Sequence, residues 1–185
     1  MSYLTWNVDP EIFRIGSFGP RYYGLLFAAG FLVGYQIMQS VFRRENRKEE
    51  DLSSLLFHLM IGTIVGARLG HCLFYEPSYY LSNPIEMLYI WKGGLASHGG
   101  TIGVLLSIWL YTNNHKDQSL LWLTSRLTVP CAFASFCIRL GNFFNSEIIG
   151  KPSNLPWAIV FQRVDNIPRH PAMLYEALLY LLVFA

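Results

Sequence analysis

The sequence predicts an all-α, polytopic transmembrane helix bundle, and three observations carry that prediction. Hydrophobic residues make up 52% of the 185 residues and charged residues only 14%, against roughly 25% charged in a soluble domain. Mean hydropathy is +0.30. An uncharged run extends from Tyr22 to Val41, YYGLLFAAGFLVGYQIMQSV, and about 20 such residues cover a ~30 Å hydrocarbon core. The same balance excludes disorder, a coiled coil and nucleic-acid binding, since a net charge of +2 leaves no electrostatic footprint. Cys72, Cys131 and Cys137 lack any CxxC pairing, which argues against a disulfide scaffold and a zinc site.

Taken in order, the segment before the first run, MSYLTWNVDPEIFRIGSFGPR, has no basic n-region, short apolar core or cleavage site. It does not read as a signal peptide; Trp6, Phe13 and Phe18 are expected to lie along the membrane interface. A second span is expected from Leu52 to Tyr75, interrupted only by His58, Arg68 and His71. A third runs from about Leu95 to Tyr111. The fourth, Leu120 to Ile138, contains Arg126 and Pro130. A fifth begins near Met173 and is still apolar at Ala185; the about 12 residues from Leu174 onward are too few to cross a bilayer. The expectation is therefore four spans plus the start of a fifth, with residues 1–185 forming one integral-membrane domain and the chain reading as a fragment that ends inside a helix.

Basic residues in short loops set the expected orientation. Loop 42–51 holds Arg43, Arg44, Arg47 and Lys48 and reads as cytoplasmic. That places the N-terminus, loop 76–94 and segment 139–170 outside, although Arg139, Lys151, Arg163 and Arg169 in the last segment run against a simple count. Gly30 and Gly34, then Gly62, Gly66 and Gly70, then Gly99 and Gly103 are spaced four apart. Small residues at that spacing let helix backbones approach closely in lipid, so packing is the expected task of most of these glycines.

Four polar clusters do not fit a passive bundle. Arg68 and His71 lie one turn apart, with Arg68 about seven residues, hence roughly 10 Å, inside the end marked by Tyr75. An arginine there either snorkels to the interface with Tyr75 and Glu76 or faces a polar cavity. In WKGGLASHGGTIG, Trp91 to Gly103, the pairs Gly93-Gly94 and Gly99-Gly100 bracket His98 and make a regular helix start doubtful, as backbone lining a wet cavity would. The block IRLGNFFNSEIIGKP, Ile138 to Pro152, gathers Arg139, Asn142, Asn145 and Glu147. If it is partly helical, Arg139 and Asn142 share a face. A guanidinium fork beside amides suits a phosphodiester; an interfacial loop with hydrogen-bonded caps suits the composition equally. In PRHPAMLYEA, Pro168 to Ala177, Glu176 is expected to pair with a cation of another cluster, because a lone carboxylate in lipid is costly. His170 suits a structural and a functional role equally. Tyr22-Tyr23-Gly24 read first as interfacial aromatics.

Taken together, RYYG at 21–24, GARLG at 66–70, SHGG at 97–100, RLGNFFNSEIIGKP at 139–152 and RHPAMLYEA at 169–177 resemble, in this order, a bacterial phosphatidylglycerol–prolipoprotein diacylglyceryl transferase. The likeness runs from about Gly19 to the end of the chain. It implies transfer of the diacylglyceryl group of phosphatidylglycerol to the lipobox cysteine thiol of a prolipoprotein signal peptide. The products would be a thioether-linked lipoprotein precursor and glycerol-1-phosphate. It implies Arg139 at the lipid phosphate, with Asn142, Glu147 and Gly150 shaping that site, Tyr23 near the headgroup and His98 as general base. Arg68 joins the lipid-binding set as the cation facing a polar cavity. The resemblance also implies a multi-pass protein of the bacterial inner membrane, with the bilayer, phosphatidylglycerol and the lipobox as partners, and no cofactor, metal or nucleic acid. Such proteins usually have seven spans, and their later helices carry a further arginine and an adjacent tyrosine that lie past the end of this chain.

The chemistry is consistent with these roles. Only a thiolate is a good nucleophile, and free cysteine has a pKa of about 8.5. An imidazole of pKa about 6.5 is a suitable base and contributes about 10²–10⁴-fold; a cationic cluster that lowers the thiol's pKa is the alternative. A fixed arginine stabilises the charge gained by the departing phosphate. A transporter or lipid-binding protein with an arginine-lined pathway is the competing reading. It predicts internal repeats, and the polar blocks are unlike one another.

Overall fold

The computed structural model describes residues 3–16, 19–90 and 93–185; Phe18 and Trp91 lie outside the described residues. Helices dominate: α1 (Tyr22–Arg44), α2 (Glu49–Phe74), α3 (Pro77–Ser82), α4 (Ser97–Asn114), α5 (Leu120–Asn145) and α6 (Ala172–Phe184), with a 3-10 turn at Pro84–Leu88. Three short strands, β1 (Leu4–Trp6), β2 (Ile159–Phe161) and β3 (Pro168–Arg169), complete the element set. By length and apolarity α1, α2 and α5 can cross a membrane among the described residues. The helix α4, expected as a span, is 18 residues long, hence about 27 Å, and has Ser97-His98 and Asn113-Asn114 at its ends. It falls short of a ~30 Å core.

Helix ends follow electrostatics. The last turn of α1 carries Arg43 and Arg44 and the first turn of α2 carries Glu49, Glu50 and Asp51, each complementing the helix dipole. These charges extend both helices past the apolar runs that predicted them. The same is true of α5, which continues through Asn145 instead of stopping near Ile138: Arg139, Asn142 and Asn145 fall three apart, on one face of a helix.

The described residues form two compact units. The first comprises Met1–Met38 and Leu127–Ala185. In it α1 meets α5 through small residues: a methyl added at Gly30 would stand 3.1 Å from Ala134 Cα, and one at Gly34 would stand 3.2 Å from Pro130 Cβ. Parallel β1 and β2 pair Leu4 with Ile159 and Trp6 with Phe161, and β3 adds antiparallel to β2. Trp6 donates from Nε1 to the Phe143 carbonyl at 3.1 Å. Its ring also packs on Phe143 with centroids 4.0 Å apart. Buried Ile159, Phe161 and Met173, with Trp6, Phe143, Ile149 and Leu174 around them, make the core beneath the end of α5. This small sheet was not expected from the sequence.

The second unit is Gln39–Arg126. Its spine is a seam between α2 and α4, where Gly62, Gly66 and Gly70 face Gly99 and Gly103. A methyl at Gly66 would lie 2.8 Å from Gly103 Cα, and one at Gly70 would lie 2.7 Å from Gly99 Cα. The backbones are in direct contact, as small residues permit in helices that associate without a hydrophobic driving force. At the other end of α4, fully buried Gln118 accepts from Tyr111 Oη at 2.9 Å and donates to Asp51 Oδ2 at 3.0 Å.

Candidate functional site

Within the first unit, the last two turns of α5 and the turn after it collect four side chains into one hydrogen-bonded chain, which an ion pair joins to a fifth on α6. Arg139 Nε lies 2.6 Å from Glu176 Oε2, an ion pair between α5 and α6. Arg139 Nη1 donates to Asn142 Oδ1 at 3.3 Å. Asn142 Nδ2 donates to Glu147 Oε2 at 3.0 Å, and Asn145 Nδ2 donates to Glu147 Oε1 at 3.2 Å. The Glu147 carboxylate is thus held by two amides, both presented from the same helix face. Glu176 pairs with a cation, as the sequence leads one to expect for a carboxylate in an apolar helix.

Local backbone explains how the turn is made. The Glu147 amide closes back on the Asn142 carbonyl at 2.9 Å, while Ser146 and Ile148 adopt φ of 57° and 55°, a region L residues rarely occupy. The chain then passes Gly150, whose N–H donates to the His170 carbonyl at 2.9 Å. A methyl at Gly150 would stand 2.7 Å from His170 Cβ, so only glycine admits the segment that leads into α6. Tyr23 lies over the other side of α5: a methyl at Gly141 would fall 2.6 Å from its Cδ2. Tyr23, Arg139, Asn142, Glu147 and Gly150 therefore all sit on or beside the end of α5.

The arginine is not exhausted by these partners. A guanidinium carries five N–H groups, and those not pointing at Glu176 and Asn142 find no acceptor among the described residues. Its side chain is 24% exposed. Half-buried, permanently charged and with donors to spare, Arg139 can receive an anion.

Arg169 has a different environment. Its Nε and Nη2 donate to Asp165 Oδ2 at 3.0 and 2.6 Å, and Nη1 reaches the Gly150 carbonyl at 3.4 Å. The guanidinium holds the Asp165 carboxyl below the usual carboxylate range, helped by the Ile167 amide. His170 Nδ1 lies 3.0 Å from Tyr175 Oη, which also accepts from Trp157 Nε1 at 2.9 Å. These contacts brace the loop before α6.

Arg68 and His98 belong to the second unit. Arg68 is 3% exposed and neither snorkels nor faces a cavity with donors free. Nε donates to the Met87 carbonyl at 2.9 Å and Nη2 to that of Glu86 at 2.6 Å. Nη1 donates to Gly93 at 2.6 Å and Gly94 at 3.3 Å. The guanidinium also lies over the Tyr80 ring, 5.0 Å from its centroid. Arg68 gathers backbone carbonyls, a task that residue identity alone does not announce. His98 sits in the first turn of α4, exposed, with its ring edge-on to Phe74 at 5.0 Å and tilted against Tyr75 at 5.9 Å. The expected irregular backbone around it is confined to Gly93 and Gly94, with φ of 86° and 73°. Gly99 and Gly100 are helical instead, and Gly99 is a seam residue that touches Gly70.

No group of three or more His, Cys, Asp or Glu residues that could hold a metal occurs among the described residues. Comparison with known proteins adds the decisive observation: the family profile described as Prolipoprotein diacylglyceryl transferase matches residues 10–185.

The chain belongs to the prolipoprotein diacylglyceryl transferase family. It is 54% identical over 181 residues to the phosphatidylglycerol–prolipoprotein diacylglyceryl transferase of Tolumonas auensis, covering 98% of this chain and 70% of that protein. The like-named proteins of Chloroherpeton thalassium and Porphyromonas gingivalis are 48% and 44% identical, covering 99% and 100% of this chain. The chain spans 68% and 69% of those two relatives. Membership confirms the resemblance drawn from the motifs. Apolar helices and family together make this a membrane transferase of lipoprotein biosynthesis. Asn145, given no role of its own by sequence reasoning, is nonetheless tied into this cluster through Glu147; its spacing three residues after Asn142 is the available signal.

Proposed function

We propose that this transferase moves the diacylglyceryl group of phosphatidylglycerol onto the lipobox cysteine of prolipoproteins at the bacterial inner membrane. The observation that carries the reading is Arg139, paired along its Nε edge with Glu176 and donating once to Asn142, while its remaining donors stay available. A guanidinium so held offers fixed N–H groups to a phosphodiester with little reorganisation.

In the reaction the cysteine sulfur attacks the glyceryl carbon that bears the phosphate. A C–S bond forms, the C–O bond to phosphate breaks, and the electron pair leaves with glycerol-1-phosphate. Arg139 receives the charge that builds on the leaving phosphate. Asn142 and Glu147 keep the arginine in register, Gly150 leaves room for the turn that carries Glu147, and Tyr23 lines the headgroup side. The thiol proton passes to His98, the base of this scheme. Arg68 fixes the loop that leads into the first turn of α4, where His98 stands.

The test is mass spectrometry of a lipobox peptide incubated with phosphatidylglycerol and the full-length protein. The peptide should gain the diacylglyceryl mass, and Arg139→Ala should abolish the gain while membrane insertion persists. Near-normal turnover by Arg139→Ala removes this residue from the site.

A further inference from the structure

We infer that Asn145 reads the distal glycerol of the lipid headgroup, accepting a hydrogen bond from one of its hydroxyls; this rests on the reading of Arg139 as the phosphate site. The Asn145 Oδ1 atom is buried and has no hydrogen-bond partner among the described residues. An acceptor buried without a donor loses its water and gains nothing in exchange, so in the working enzyme a donor arrives from outside the described residues. Reversing the amide does not resolve the deficit. The nitrogen already donates to Glu147 Oε1 at 3.2 Å, and exchanging the two atoms would set a carbonyl oxygen against a carboxylate. The missing partner must therefore be a donor.

Its position narrows the class of donor. Asn145 is tied through the Glu147 carboxylate to Asn142, and through Asn142 to Arg139, each link being one hydrogen bond. A group bound at Oδ1 is connected to the arginine through three successive hydrogen bonds. Glu147 itself is exposed, so the cluster has an open side. A phosphatidylglycerol headgroup carries, beyond its phosphate, two hydroxyls on a three-carbon chain. One of them donating to Asn145 while Arg139 holds the phosphate satisfies both deficits with one molecule. The same contact would select a polyol headgroup over one with no donor, and it would hold the leaving glycerophosphate by both ends.

The experiment compares phosphatidylglycerol with phosphatidylpropanol, the same phosphodiester without the distal hydroxyls, using full-length enzyme and a lipobox peptide. Wild type should show kcat/KM about tenfold lower on phosphatidylpropanol, the worth of one hydrogen bond of about 1.4 kcal/mol, chiefly through KM. Asn145→Ala should lose a similar factor on phosphatidylglycerol and little on phosphatidylpropanol. Equal loss on both lipids, or none on either, overturns the assignment, as does a wild type that uses both lipids equally well, the result expected if only water reaches Oδ1. The wild-type comparison stands even where the variant fails to fold. A wild type that transfers from neither lipid refutes the proposed reaction itself, which separates the two failures.

Discussion

Replacing Arg68 with leucine tests whether this buried cation supports the fold or binds lipid. The substitution would strip the carbonyls of Glu86, Met87 and Gly93 of donors at 2.6–2.9 Å. Hydrogen bonds from a charged donor contribute about 1.5–3 kcal/mol each, and part of the loss is recovered where the freed carbonyls reach water. A destabilisation of about 3–5 kcal/mol follows. Lysine, a single point charge without the planar fork, should retain one or two of these bonds and cost about 2 kcal/mol. Thermal unfolding in detergent micelles measures the loss. Hydrogen exchange localises it, because amides of residues 84–90 and 93–96 should exchange faster in Arg68→Leu. A variant with unchanged unfolding temperature and exchange but a raised KM for phosphatidylglycerol would refute the carbonyl-gathering role and return Arg68 to the lipid site.

Two further outcomes are expected. Ser146→Gly should stabilise the protein by about 1–2 kcal/mol, since it removes a buried hydroxyl without a partner and relieves a left-handed backbone at φ 57°; denaturation of the variant at or below the wild-type midpoint contradicts this. Asp165→Asn bears on acid stability. The Asp165 carboxyl is held below its ordinary value by Arg169, so its stabilising contribution is fully present above the unfolded pKa of about 3.9 and fades as pH falls through the lower folded value. Unfolding temperatures followed from pH 7 to pH 3 should fall less steeply below about pH 4 in the variant, and parallel curves would show that the pair contributes nothing.

The spans were legible because uninterrupted apolar runs have one explanation at that length, and the glycine spacing announced the α2–α4 seam. Helix ends were less so: Arg43, Arg44 and Glu49–Asp51 belong to the helices yet lie outside any apolar window. The end of α5 was obscured by chemistry, since Arg139, Asn142 and Asn145 look like loop residues unless their three-residue spacing is taken as a helix face. Glu176 was anticipated as a partner for a cation, because its cost in lipid demands one. Arg68 was visible as a charge at depth, but its acceptors are backbone carbonyls, which residue identity does not advertise. The sheet left no signal. Strands of three and two residues are too short for alternation to emerge, and their pairing joins distant parts of the chain.

That sheet bears on how the enzyme is made. Leu4 leaves the ribosome long before its partner Ile159, and the tryptophan that caps the Phe143 carbonyl waits with it. Until translation has passed Phe161 the aromatic cluster of Trp6, Phe143 and Phe161 cannot close, so this part of the first unit is completed late in biosynthesis, after α1, α2 and α5 have all been synthesised.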